Sequence, residues 1–206
     1  MSSASRPTEE PSTTAVVCVE CQNGVLGPNS VLPALGADTR DLVSNIGRVL
    51  TAARSSGVVV IHATFEGLLG SDHVGSARIW RALGPATEGW TPGSAPTQVI
   101  PELLGPDDLV VARHHGLYPT LDTELLPVLA SLGVRTVVLA GVSLNLALPF
   151  TAGHMSQMGY RVVVPRDAVG GTPAVYADLA ITHTMAMLAT ITTIEALTAE
   201  WSRKLP

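Results

Sequence analysis

The sequence predicts a doubly wound α/β fold, a mostly parallel six-stranded sheet with helices on both faces. Three observations predict it. Short β-branched apolar runs bounded by turn signals alternate with segments of helical period, which is the pattern of βαβ units. Runs such as TVVLAG and RVVVP are apolar at nearly every position, as strands covered on both faces must be, whereas half-exposed strands alternate. A chain of 206 residues suits one compact domain, and 46% apolar residues can fill its core.

The elements follow in order. The polar, proline-containing start MSSASRPTEEPSTT has neither the basic beginning nor the apolar stretch of a signal peptide. Residues 1–13 are therefore expected to form a flexible tail, residues 14–206 the folded domain, and the expected location is cytoplasmic. Five strands are predicted at residues 15–20, 58–63, 109–112, 136–141 and 161–165, with a weaker sixth at 189–194. Helical period places helices at 39–56, 122–132, 145–158, 173–188 and 195–204. Residues 66–107 break the alternation: they are rich in Gly and Pro and carry Trp80 and Trp90. An excursion of that length covers a site or builds an interface, or else is a poorly ordered insertion.

Composition narrows the function. Seventeen acidic residues against 12 basic give a net charge of -5, and no Lys/Arg cluster could follow a phosphate backbone, so nucleic acid is excluded as a partner. The longest apolar stretch, 137–152, is broken by Gly141, Ser143, Asn145 and Pro149 and falls short of the ~18 residues of a membrane span. Only 14% of residues are charged and the mean hydropathy is +0.34, too little charge to cover a monomer, so a homo-oligomer is expected. Cys18 and Cys21 form a C-x-x-C, but residues three apart on a strand face opposite ways, about 10 Å apart, which argues against a disulfide or a zinc site. The second strand ends in HATFE without a further metal-binding histidine, and no G-x-G-x-x-G turn follows the first strand. Neither a metal nor a cofactor is expected.

In an open parallel sheet ligands gather at the carboxyl ends of the strands. The first strand leaves in Glu20-Cys21-Gln22-Asn23-Gly24, the third in Arg113-His114-His115, and the fourth in Gly141-Val142-Ser143-Leu144-Asn145. Together, VVCVECQNGVLG, DDLVVARHHG, the spacing from Thr123 through Gly133 to GVSLN, and Asp167-Ala168 after the fifth strand resemble the isochorismatase-like hydrolases, a family of cysteine hydrolases. The resemblance covers nearly the whole chain after the tail. It implies strand order 3-2-1-4-5-6, a non-proline cis peptide at Val142-Ser143, and an oxyanion hole from the backbone N–H groups of Ser143 and Ala147.

The same resemblance places the family's Asp-Lys-Cys triad on Glu20, Arg113 and Ala147, so all three positions are changed. Ala147 has no nucleophilic atom, which closes the covalent thioester route. Arg113 stays protonated and can hold an anion, but cannot shuttle a proton as a tuned lysine does. Glu20 keeps a carboxyl group that can protonate or deprotonate a bound group. Around them Gln22, His114, Tyr118 and Asn145 are assigned to substrate binding. His114 and His115 are each either acid-base groups at the site mouth or plain surface residues. Cys18 is expected in the core, and His73, His154 and His183 are expected to be structural. Two functions remain open: a hydrolase without a cysteine nucleophile, cleaving an enol ether or a C–N bond of a small carboxylated substrate with Glu20 as general acid or base, and an inactive small-molecule-binding or scaffolding protein.

Overall fold

The structure is a computed structural model, and it describes residues 10–69 and 75–203. Residues 1–9 of the expected tail and His73 lie outside the described residues. The last tail residues are part of the fold, because Pro11–Thr13 make a 3-10 turn and the Thr14 hydroxyl donates to the Glu10 carbonyl at 2.7 Å.

The sheet is parallel throughout. Its strands are β1 (Thr14–Val19), β2 (Val59–Phe65), β3 (Leu109–Arg113), β4 (Thr136–Val142), β5 (Arg161–Pro165), the two-residue β6 (Val169–Gly170) and β7 (Thr190–Thr192). The main path runs β3-β2-β1-β4-β5-β7, and β6 pairs with β4. The implied six-strand order is therefore present, with one short strand added beyond it. Seven strands are observed because the chain leaving β5 is drawn back alongside the end of β4, where Gly141 faces Val169.

Helical segments flank the sheet in chain order: α1 (Asn23–Leu26), α2 (Pro33–Asp38), α3 (Leu42–Ser55), α4 (Trp80–Ala86), α5 (Leu125–Ser131) and α6 (Ala147–Gln157). After them α7 (Ala174–Ala180), a π turn (Ile181–Met185) and α8 (Ala186–Leu188) run on as one segment, and α9 (Ile194–Ser202) closes the chain. The helix expected from residue 39 begins at Leu42, because the Thr39 hydroxyl bonds back to the Leu35 carbonyl and caps α2 instead. Likewise the helix expected from 122 begins at Leu125, since the Thr123 hydroxyl turns back to the Pro119 carbonyl.

Alternation along β1 explains the layering. Val16 and Cys18 face the side covered by α3 and α9, where Ile46, Leu50, Leu197 and Trp201 are buried. Ala15, Val17 and Val19 face the opposite side, against Leu129, Leu148, Met155 and Met185. Each large side chain so buried stabilises the fold by roughly 1.5–3 kcal/mol. Because both faces are covered, every residue of β1 and β4 is buried, and only their carboxyl ends open toward loops. Residues 75–107 pack beside one of these openings: Asn23 N donates to the Gln98 carbonyl at 2.9 Å, Gly24 N to Pro96 at 2.8 Å, and Ile100 N to Cys21 at 3.1 Å. No helix among the described residues is long and apolar enough to cross a membrane.

Candidate active site

The site begins where β1 stops. Glu20 has φ of +54°, a left-handed conformation that ends the strand after Val19, while its N–H still donates to the Ala63 carbonyl at 2.9 Å. Two residues later Gln22 is fully buried. Its Nε2 donates to the Phe65 carbonyl at 2.7 Å and to the Pro96 carbonyl at 3.3 Å, and the Phe65 N–H donates to its Oε1 at 2.7 Å. The side-chain amide behaves as an extra peptide group pinning the end of β2. Gln22 is thus a clamp with no exposed atom for the substrate-binding part expected of it.

Arg113, the last residue of β3, lies in register with Phe65 across the strand pair. Its Nη2 donates to Glu20 Oε1 at 2.6 Å, with the arginine side chain 4% and the glutamate 16% exposed. The guanidinium sits over the Phe65 ring, 5.2 Å from its centroid, and that ring packs in turn against Trp80 and Trp90. Nε and Nη1 of Arg113 are buried and have no hydrogen-bond partner among the described residues. A buried donor without an acceptor costs roughly 1–3 kcal/mol, more for a charged group. The exit of β3 therefore holds a cation of which the carboxylate of Glu20 satisfies only one corner.

At the end of β4, the peptide between Val142 and Ser143 is cis, as the GVSLN motif implies. Gly141 has φ of +101°, and a Cβ there would fall 2.2 Å from the Val19 carbonyl oxygen, so only glycine lets β4 lie this close to the end of β1. Ala147 is the first residue of α6 and is buried. At that position its N–H is one of the four that no helical carbonyl accepts, while the Leu148 N–H is taken by the Ser143 carbonyl at 3.0 Å. Asn145 closes its amide on the backbone of Thr172, accepting from its N–H at 3.0 Å and donating to its carbonyl at 2.6 Å. Like Gln22, it braces the loops around the site.

The loop after Arg113 supplies the remaining expected residues. His114 Nδ1 lies 3.1 Å from the Gly67 carbonyl, which can only accept, so Nδ1 donates to it. By the same reasoning His115 donates from Nε2 to the Asp122 carbonyl at 3.1 Å. Tyr118 stacks on Phe150 of α6 with ring centroids 4.6 Å apart and leaves 36% of its surface exposed. His154 pairs with Thr120 at 2.8 Å, a structural contact.

Two features escaped the sequence. Cys18 and Cys21 are both free and buried, yet both lie in the core layer on the α3 side of the sheet rather than on opposite faces. The left-handed turn at Glu20 takes Cys21 off the strand and folds it back. Hydrogen bonding with the Cys18 thiol, burial and the nearby Glu20 charge push the Cys21 thiol well above its ordinary range. The second feature lies at the other end of β3. Asp108 accepts from Arg54 Nε at 3.1 Å and Nη2 at 2.5 Å, from the Gly105 N–H at 2.8 Å, and faces His62 Nε2 at 3.0 Å. Burial pushes Asp108 up, but these four contacts outweigh it and hold the group below its usual value. Burial, only partly offset by Asp108, lowers His62. A histidine inside the apolar run VVVIHATF was the available signal for such a partner. Among the described residues, no three His, Cys, Asp or Glu side chains come together in a way that could hold a metal ion.

Comparison with known proteins agrees with this architecture. The isochorismatase domain matches residues 14–196. An uncharacterized isochorismatase family protein, YecD, of Escherichia coli is 27% identical over 200 residues, covering 90% of this chain and 94% of that protein. Maleamate amidohydrolase of Pseudomonas putida is 27% identical over 158 residues, 76% of this chain and 71% of the enzyme. The crystal structure of a cysteine hydrolase from Pseudomonas syringae pv. phaseolicola superposes with a TM-score of 0.80 at 23% identity, covering 97% of this chain and 99% of that one.

Proposed function

From the membership of this chain in the isochorismatase family of hydrolases, we propose that it hydrolyses a small carboxylated substrate at a C–N or enol-ether bond without a covalent enzyme intermediate. One observation carries the reading: the Glu20–Arg113 pair, in which the guanidinium keeps two buried donors that no acceptor among the described residues meets. A substrate carboxylate that reaches one of those donors adds a charge-assisted hydrogen bond to the one that Glu20 supplies. The carboxyl of Glu20, at the same place, handles the proton.

For a C–N bond the steps balance as follows. The Glu20 carboxylate takes a proton from water, and the hydroxide formed adds to the carbonyl carbon. The resulting oxyanion is held by the N–H groups of Ser143 and Ala147. Protonated Glu20 then gives its proton to the leaving nitrogen as the C–N bond breaks. For an enol ether, protonated Glu20 donates first to carbon, water adds to the oxocarbenium ion and gives a proton back to the Glu20 carboxylate, and the hemiketal so formed breaks its C–O bond to release an alcohol and a carbonyl compound. Neither route needs a side-chain nucleophile at position 147, where alanine offers none, and the raised, buried Cys21 thiol is no substitute. The curated amidohydrolase among the relatives supports the C–N class.

Ala147 also favours a second reading, an inactive carboxylate-binding protein. Turnover of carboxylated amides and enol ethers by the purified protein separates the two. Glu20→Gln is expected to lower turnover at least about a hundredfold, the scale of a positioned acid-base group, while carboxylate binding persists. Unchanged turnover in Glu20→Gln defeats the acid-base assignment, and carboxylate binding with no turnover at all supports the binding protein.

A further inference from the structure

We propose that Gln22 is a positioning residue: through Phe65 its side-chain amide holds the Arg113 guanidinium in place against the Glu20 carboxylate, and so sets how strongly the site grips a substrate's acid group. The proposal rests on the hydrolase reading for what the pair does, and adds a residue that acts on the pair without touching substrate.

Glu20 and Arg113 leave different strands, so what fixes one relative to the other lies between the strand ends. The contacts there close a ring. Gln22 follows Glu20 by two residues, and its Oε1 and Nε2 take the N–H and the carbonyl of Phe65, each at 2.7 Å. Phe65 is the register partner of Arg113, and the next residue, Glu66, donates its N–H to the Arg113 carbonyl at 3.0 Å. The Phe65 ring lies under the guanidinium, 5.2 Å away, and Arg113 Nη2 returns to Glu20 Oε1 at 2.6 Å. Among the described residues no hydrogen bond joins Gln22 to Arg113, and Phe65 is the residue that both of them touch.

Both ends of this link are suited to transmit a displacement. Gln22 is fully buried, and its backbone is fixed on either side: the Asn23 N–H donates to the Gln98 carbonyl at 2.9 Å and the Ile100 N–H to the Cys21 carbonyl at 3.1 Å, with Gln22 itself bridged to Val99. An amide anchored so firmly passes its position on to Phe65. At the other end Arg113 has one hydrogen bond and two buried donors without a partner among the described residues, so the ring beneath it carries much of its placement. A fully hydrogen-bonded arginine would hold its own position. This one takes it from Phe65 and Glu20.

The test is a double-mutant cycle in urea unfolding of the full chain, with Gln22→Met, which keeps the length of the side chain and removes its hydrogen bonds, and Arg113→Met. Residues that share a partner couple, whereas independent sites add. The double variant is expected to differ by at least threefold from the product of the two single effects on the unfolding constant; closer agreement overturns the proposal. Calorimetric titration with maleate and the neutral maleamide then reads the grip on an acid group. Gln22→Met is expected to lower the preference for maleate at least threefold, a change that lost stability alone does not produce in a folded variant, and a smaller change overturns the proposal. Should Gln22→Met fail to fold, Gln22→Glu, which keeps an acceptor for the Phe65 N–H, carries both measurements. Phe65→Leu keeps the backbone that Gln22 clamps and removes the ring. It should lower the same preference with no further loss on adding the Gln22 substitution, and independent losses overturn the proposal. Equal affinity of the unsubstituted protein for maleate and maleamide sinks the acid-binding part of the hydrolase reading, and the unfolding cycle then decides the role of Gln22 by itself. Preference for maleate with no turnover of any carboxylated amide or enol ether sinks the hydrolase reading alone. An additive cycle in a protein that does turn such substrates over sinks this proposal alone.

Discussion

Strand β3 carries an arginine–carboxylate contact at each end, and the two ends differ in how completely they are satisfied. At its start, Asp108 is surrounded by two donors of Arg54, the Gly105 N–H and His62, and Arg54 further donates to the Leu103 carbonyl at 2.6 Å. At its finish, Arg113 makes one contact with Glu20 and leaves two donors unmet. Both carboxylates are shielded, at 3% and 16% exposure. At the first end the carboxylate itself is saturated, although His62 Nδ1 stays buried without a partner among the described residues, and the cluster serves as a joint between α3, β2 and the end of the 66–107 excursion. An unsaturated one retains chemical capacity, and the fold bears a cost to keep it there.

The largest expected effect breaks the saturated end. Asp108→Ala should cost about 2–4 kcal/mol in urea unfolding, because it strands His62 and part of Arg54 without their acceptor. A loss below about 1 kcal/mol would show that saturation there carries no structural weight. Next comes the unsaturated end, where Arg113→Lys retains the charge and loses the fork. Carboxylate affinity should fall about tenfold, with the chemical step on a turned-over substrate changed less than KM. If kcat falls more than KM rises, Arg113 acts in the transition state rather than as an anchor. The smallest effect sharpens the contrast through pH. His62 is held below its ordinary value by burial, so the unfolded chain binds that proton more readily than the folded one. Its contribution to stability is present above about pH 6.5 and fades as the pH falls below that. Asp108, also lowered, shifts stability in the same direction in a more acidic range, near and below the ordinary carboxylate value. Unfolding at pH 7.5 and 5.5 should show lower stability at 5.5, and His62→Gln should flatten that slope.

Much of the fold was legible because buried parallel strands write themselves as unbroken apolar runs, and β5 matches its expected bounds residue for residue. Strand β6 was not, since two residues ending in glycine carry no periodicity. At the site, the convergence of Glu20 and Arg113 followed from reading the strand exits. The parts played by Gln22 and Asn145 did not, because a polar side chain after a strand reads the same whether it faces a ligand or folds onto a neighbouring backbone. The position of Cys21 was misjudged for a related reason: its placement depends on one left-handed residue, and a glutamate does not advertise positive φ as glycine or asparagine does.

The excursion over residues 66–107 is fastened at both edges by residues that are not its own. Gln22 grips Phe65 just before it begins, and Arg54 with His62 grips Asp108 just after it ends. Between these two rivets the segment is also stitched to the exit of β1 through Pro96, Gln98 and Ile100, and Trp80 and Trp90 wedge the Phe65 ring that carries Arg113, so it forms part of the frame that holds Glu20 and Arg113 together.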